Sequence, residues 1–143
     1  MRLSRHTDYA LRVLIHLATW PERQSSIAEI ARAYTISENH LMKVVHMLGR
    51  AGFIRTVRGR GGGIALATPA ENIRIGDVVR HGEPDLQLAD CGTCLIAPAC
   101  GLNTVLSEAL GAFLAVLDRY SLADITQRRS DLARLLGRDA PVI

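Results

Sequence analysis

The stretch Arg58-Gly59-Arg60-Gly61-Gly62-Gly63 constrains this chain more than any other. Four glycines in five positions make a poor helix or strand interior, because glycine loses the most backbone freedom on ordering. The run predicts a tight turn. The flanking segments, Phe53–Val57 and Ile64–Ala67, are short and apolar or β-branched, so they read as two strands folded back on one another. The tip between them is thin and carries two arginines. A phosphate-binding loop is the other use of such a run, but the Gly-Lys-Ser/Thr ending of that motif is missing.

Two helices precede the hairpin. Ser26 followed three residues later by Glu29 predicts a capping box, and Ile27, Ile30, Ala31 and Tyr34 follow at helical spacing. After Thr35-Ile36, Ser37 caps a second helix running to about Arg50. Leu41, Val44, Val45 and Leu48 form its apolar stripe, while Asn39, Lys43, His46 and Arg50 point the other way; Gly52 ends it. An apolar helix over residues 7–19, closed by Trp20-Pro21, lies upstream.

Helix, short turn, helix and basic hairpin is the order of a winged helix-turn-helix. Charge agrees: residues 1–68 carry ten Lys and Arg against four Asp and Glu, and residues 69–143 seven against ten. A basic first half fits a polyanion partner. Double-stranded DNA is the expected one. Ser37, Asn39, His40 and Lys43 are candidates at the second helix for bases and phosphates, with His40 alternatively packed beside the turn. Arg58 and Arg60 are candidates for a minor groove.

Beyond the hairpin, a short, imperfectly capped helix is expected around Ile75–His81, then a loop over 83–100. From Gly101 to Tyr120 apolar residues recur at i, i+3, i+4 and i+7, which predicts a long amphipathic helix. Little other chain remains to cover it, so Leu106, Leu110, Phe113 and Leu117 are expected in a subunit interface. A weaker helix is expected within Ser121–Leu136. The organisation that follows is a DNA-binding domain over 1–82, a cysteine loop over 83–100, and a dimerisation helix with a helical tail over 101–143. The fold class is mostly α with a small β-hairpin wing.

All three cysteines, Cys91, Cys94 and Cys100, lie within ten residues. An odd, clustered set cannot pair off completely as disulfides and points to a metal or redox site. Thiolates select zinc or iron–sulfur clusters. Structural zinc wants four ligands, and the loop offers no fourth Cys and no His. Reduced, idle thiols remain the alternative. No apolar run approaches the length of a membrane span, and the first residues lack the apolar core of a secretory signal; a cytoplasmic protein without a membrane partner is expected.

Several motifs together resemble the Rrf2-type winged-helix regulators: Met1-Arg2-Leu3 with Asp8-Tyr9-Ala10, the 58–63 wing, Ile75-Gly76-Asp77-Val78-Val79, and three cysteines before a long helix. Cys100-Gly101-Leu102 leading into Ala112–Asp118 is most similar to the family's nitric-oxide-sensing branch. The resemblance implies a repressor, homodimeric through helix 101–120, on a palindromic operator. It also implies a four-iron four-sulfur (4Fe-4S) cluster on Cys91, Cys94 and Cys100, with the last ligand an aspartate of the other chain at the position of Asp8, and nitric oxide as the signal.

The two residues between Cys91 and Cys94 are fewer than the family's usual spacing. That keeps a two-iron (2Fe-2S) cluster, or no cluster and signalling by thiol oxidation, open, along with iron supply or redox state as the signal. Without a cluster, Asp8 and Arg12, four apart on one helix, are expected to pair. An enzyme or electron-transfer protein is the rival class. No Ser/His/Asp or paired-carboxylate constellation supports it, and it leaves the basic wing unexplained.

Overall fold

The computed structural model describes residues 1–137; residues 138–143, the end of the expected C-terminal segment, lie outside the described residues. The described residues hold seven α-helices and one two-stranded antiparallel sheet. Helix α1 (Arg5–Thr19) runs through the centre. Its Ala10, Val13, Leu14 and Leu17 are essentially unexposed and meet Ile30 from α2 (Ile27–Tyr34) and Leu41, Val44 and Leu48 from α3 (Glu38–Arg50). The core is thus built from the apolar stripes of three short helices, none of which buries enough surface to stand alone.

Local chemistry sets the joints. Ser4, Ser26 and Ser37 each accept a hydrogen bond from the backbone N–H three residues on, at the starts of α1, α2 and α3. Thr35 takes a left-handed conformation, φ 56°, to turn α2 into α3. Gly52, φ 85°, ends α3 and directs the chain into β1 (Ile54–Val57).

The expected capping box at Ser26 is half made. The Glu29 carboxylate does not reach back to the Ser26 N–H; it takes the Arg23 guanidinium at 2.8 and 3.3 Å. Arg23 also lies over the Trp20 ring at 4.7 Å, and a charged donor outcompetes a neutral N–H. The reciprocal box forms instead at Ser121 and Asp124.

Strand β1 pairs with β2 (Gly63–Leu66) in the register Ile54 to Leu66 and Val57 to Gly63. The hairpin is extended by a bridge from Ile64 to Ser25. Its turn uses Gly59 and Gly61 at positive φ, and a Cβ at Gly62 would collide with the Val57 carbonyl. The glycines of the 58–63 run are therefore required by the backbone.

A short 3-10 turn (Ala70–Asn72) leads to α4 (Ile75–Gly82), which has no side-chain cap, as its sequence implied. Helix α5 (Leu102–Asp118) follows the cysteine loop. The expected tail helix is two helices, α6 (Leu122–Ile125) and α7 (Arg129–Leu136). The break falls where the buried Thr126 hydroxyl donates to the Leu122 carbonyl at 2.7 Å. Leu122 is fully buried in the same core as α1, so the chain after α5 returns to the winged-helix core. No helix of the described residues is long and apolar enough to cross a membrane.

Candidate nucleic-acid interface and thiol loop

Helix α3 buries Leu41, Val44 and Leu48 and leaves Asn39, Lys43 and His46 exposed, so the sequence stripe and its outward face are both as expected. Ser37 occupies the cap position and is itself exposed. His40 is half-buried: its ring meets the Tyr9 ring edge-on at 4.7 Å, tying α3 to α1. Arg58 and Arg60 stand exposed on the wing tip.

Ion pairing sorts the cations into two sets. Arg12, Arg23, Arg80, Arg128, Arg129 and Arg134 each meet a carboxylate within 4 Å. Arg32, Lys43, Arg50, Arg55, Arg58 and Arg60 make no ion pair among the described residues and are exposed across α2, α3 and the wing; Arg2, Arg5, Arg74 and Arg119, elsewhere on the chain, are also exposed and unpaired. Six unneutralised cations carried by a helix-turn-helix and its wing fit the electrostatic footprint of a phosphate-binding face. Arg32 and Arg55 were missed from the sequence. Neither lies on the second helix or the wing tip: Arg32 is on α2 and Arg55 on β1.

The cysteine loop is a series of tight turns. Cys94 N–H donates to the Cys91 carbonyl at 3.3 Å, and Ala97 N–H to the Cys94 carbonyl at 3.3 Å. Cys94 is exposed, Cys91 and Cys100 are half-buried, and all three are free thiols. The Leu102 N–H, in the first turn of α5, donates to the Cys100 sulfur at 3.4 Å. Leu95 and Ile96, beside Cys94, are 95% and 60% exposed. Among the described residues of this one chain, no three His, Cys, Asp or Glu side chains converge closely enough to hold a metal ion. The donor chemistry, three thiols on one loop and a backbone N–H aimed at sulfur, fits an iron–sulfur group.

Asp8 sits in the first turn of α1, but Ser4 is the cap. The Asp8 carboxylate turns to Arg12, with Oδ1 to Nε at 2.9 Å and Oδ2 to Nη2 at 3.2 Å. This bond holds the guanidinium above its ordinary pKa against the opposing effect of burial. Arg12 also lies 5.8 Å from the Tyr9 and Tyr34 ring centres. Tyr34 donates to the Arg12 carbonyl at 3.0 Å, and burial pushes its phenol up to about 12.

Helix α5 has no buried residue. Leu106, Leu110, Phe113 and Leu117 are half-covered. The last three line a groove of about 490 Å³ with Leu3 and Leu11 at α1 and Ile75 and Val79 of α4. The most exposed apolar side chains of α5 are others: Leu102 (53%), Val105 (59%) and Val116 (45%). With Ala109 and Ala112 they recur at helical spacing as a second stripe, part of the apolar face read from the sequence but outside the four residues named as interface candidates.

A helix-turn-helix, a basic wing and a projecting apolar helix define a winged-helix transcriptional regulator. The chain matches the Rrf2 family, described as iron-dependent transcriptional regulators, over residues 3–128, and it belongs to that family. It is 50% identical over 142 residues to the HTH-type transcriptional regulator NsrR of Bacillus subtilis strain 168, covering 95% of this chain and 97% of that protein. It is 47% identical to the regulator of the same name in Bacillus licheniformis, over 96% of this chain and all of that one.

Solved structures agree. T. potens IscR superposes with a TM-score of 0.76 at 26% identity, covering 92% of this chain and 90% of that one. The oxidized form of Staphylococcus aureus CymR gives 0.73 at 30%, over 88% and 96%. The relatives are transcriptional regulators, and the chain is one rather than an enzyme.

Proposed function

We propose that the chain is a homodimeric repressor that binds a palindromic operator in duplex DNA and is released by nitric oxide acting on an iron–sulfur cluster. The observation that carries DNA binding is the exposed set of unpaired cations on α2, α3 and the wing. Asn39 and Lys43 reach into a major groove from α3, with Ser37 at its start, while Arg58 and Arg60 enter the adjoining minor groove. Two copies joined through α5 present two such faces to two half-sites. Cytoplasmic residence follows from this role.

The groups to hold the cluster, 4Fe-4S in this reading, are Cys91, Cys94 and Cys100, with Asp8 of the partner subunit. When bound it supplies iron that reacts with nitric oxide, most readily where a carboxylate rather than a thiolate holds it. The chain's own residues carry the consequence. The Asp8 carboxylate has an alternative partner in Arg12 on the same helix face. Its neighbour Tyr9 packs on His40 of α3, so a change of partner at Asp8 occurs one residue from the contact that seats the recognition helix.

Exposure of Cys94 favours a second reading, signalling by thiol oxidation without a cluster. One anaerobic purification separates them. About four iron and four sulfide per chain support the first reading, and about two of each assign a 2Fe-2S group. Neither, together with DNA binding that responds to thiol oxidants, selects the second. A gel-shift titration on the same sample, with and without nitric oxide, tests the signal; response to iron supply or redox state alone replaces it.

A further inference from the structure

Beyond the apolar groove it shares with α1 and α4, helix α5 is tied to the winged-helix core at its C-terminal end by two attachments. The first is backbone: Ile75 N–H donates to the Tyr120 carbonyl at 3.0 Å and Leu122 N–H to the Ile73 carbonyl at 2.8 Å, an antiparallel bridge just past the helix end. The second is a side-chain clamp. The Arg80 guanidinium of α4 grips both oxygens of Asp118, the last residue of α5, at 2.6 and 2.8 Å. The clamp holds the last residue of the helix and the backbone bridge holds the residues just past it.

The sequence makes room for the clamp. Gly76, on α4, faces the Asp118 carboxylate. A Cβ there would collide with that carboxylate, coming within 2.9 Å of Cγ and 3.1 Å of Arg80 Nη1. Glycine is otherwise a poor choice inside a helix. Asp77 adds a second, longer contact to Arg80 at 3.5 Å. Next to Arg80, His81 meets Phe53 at the base of the wing, ring centres 5.3 Å apart and planes at 87°. Helix α4 thus touches the wing base on one side and grips α5 on the other.

We propose that Arg80 and Asp118, with the space left by Gly76, are positioning residues that fix the angle between α5 and the DNA-binding core, and so the half-site spacing the dimer accepts. This rests on the dimeric DNA-binding reading above. An exposed ion pair contributes little to stability, so stability is a poor explanation for a bidentate pair with a glycine cleared for it. A lever explains it better. Helix α5 is about 25 Å long at 1.5 Å per residue, so a swing of about 10° about its C-terminal attachment moves its far end by about 4 Å. That is comparable to the rise of one base pair, and each half-site sits on a fixed helical phase.

The test uses the full chain, purified anaerobically with whatever cofactor it carries, and two variants. Gly76→Ala displaces the Asp118 carboxylate without changing charge; Asp118→Asn removes the charge without changing shape. Binding is measured to a duplex selected by the wild-type protein from a random library, to the same duplex with its half-sites moved apart or together by one and two base pairs, and to a single half-site. Small-angle scattering of the DNA-free dimer is measured alongside.

Both variants are expected to remain folded dimers and to bind a single half-site within about twofold of wild type. Their affinity for the paired site should fall by about tenfold or more, and the penalty for a one-base-pair change in spacing should shrink. Their pair-distance distribution should broaden. Unchanged spacing preference and unchanged scattering in both variants overturn the proposal. If the wild-type protein selects no paired site but the variants still broaden the scattering, the DNA reading fails and the clamp stands.

Discussion

The carboxylate of Asp8 is gripped by Arg12 one turn along the same helix, through two hydrogen bonds of 2.9 and 3.2 Å. Both side chains are over two-fifths exposed, so the pair adds only a few tenths of a kcal/mol. The cap of α1 is Ser4, not Asp8. Asp8→Ala is therefore expected to change unfolding free energy by less than about 1 kcal/mol, while Ser4→Ala costs about 0.5–2 kcal/mol. If Asp8 of the partner subunit is a cluster ligand, Asp8→Ala leaves a folded dimer with a cluster whose visible spectrum and nitric oxide kinetics differ from wild type. Unchanged nitric oxide kinetics would remove Asp8 from the ligand set.

The unpaired cations make a quantitative statement about salt. About six or more phosphate contacts per dimer give a slope of log K against log salt of about −5 or steeper. A slope near −1, measured by anisotropy on a specific duplex, would mean this face is not the one that meets DNA.

Arg60, exposed at the wing tip, should cost roughly 1–3 kcal/mol of binding when changed to Ala, with the fold intact. Lys43→Ala is the companion. Equal loss on specific and random duplexes assigns Lys43 to a phosphate, and loss on the specific duplex alone assigns it to a base. Full affinity in Arg60→Ala places the wing off the DNA.

The winged helix was legible because its signals are local. Caps at Ser26 and Ser37, the 3.6-residue stripe of Leu41, Val44 and Leu48, and the glycine turn each act within a few residues. What was not legible depended on competition at a distance. Glu29 forsook its capping box because Arg23, six residues away and stacked on Trp20, offered a stronger partner. The Arg80 grip on Asp118 spans 38 residues and leaves no periodicity to find. The apolar stripe of α5 was visible, but which side its own core half-covers was not. Leu110 and Phe113 face α1 and α4, while Val105 and Val116 face outward.

That division sets the dimer test. Changing Leu110 and Phe113 to Asp strikes both the interface and the intrachain groove, and should give monomers or insoluble protein. Val105→Asp with Val116→Asp touches only the outward stripe, 59% and 45% exposed in the single chain. It should yield soluble monomers with an intact winged-helix core, read by sedimentation. A stable dimer after both double changes means the subunits join elsewhere.

His16 gives the last prediction. It is 1% exposed in the core of α1, and neither ring nitrogen has a hydrogen-bond partner among the described residues. Its ring centre is 4.9 Å from that of Trp20 and 6.3 Å from that of Tyr34. Burial lowers its pKa to about 4; Glu29 pulls it slightly up and Arg23 slightly down. Above about pH 7.5 the imidazole is neutral whether the chain is folded or not, and its titration does not affect stability. Between about 6.5 and 4 the unfolded chain takes up a proton that the folded chain refuses. Stability then falls as pH falls, by an amount on the order of 3 kcal/mol once pH reaches about 4. Replacing His16 with Phe keeps a flat ring and removes the titration, and it also removes two unpaired polar atoms that cost about 1–3 kcal/mol when buried. Urea unfolding followed by the fluorescence of Trp20, the chain's one tryptophan, reads both proteins from pH 7.5 to 4.5. The variant should gain on wild type steadily as pH drops below 6.5. A constant difference across that range would show that His16 takes up its proton equally well folded and unfolded, and that the imidazole is not sealed from water.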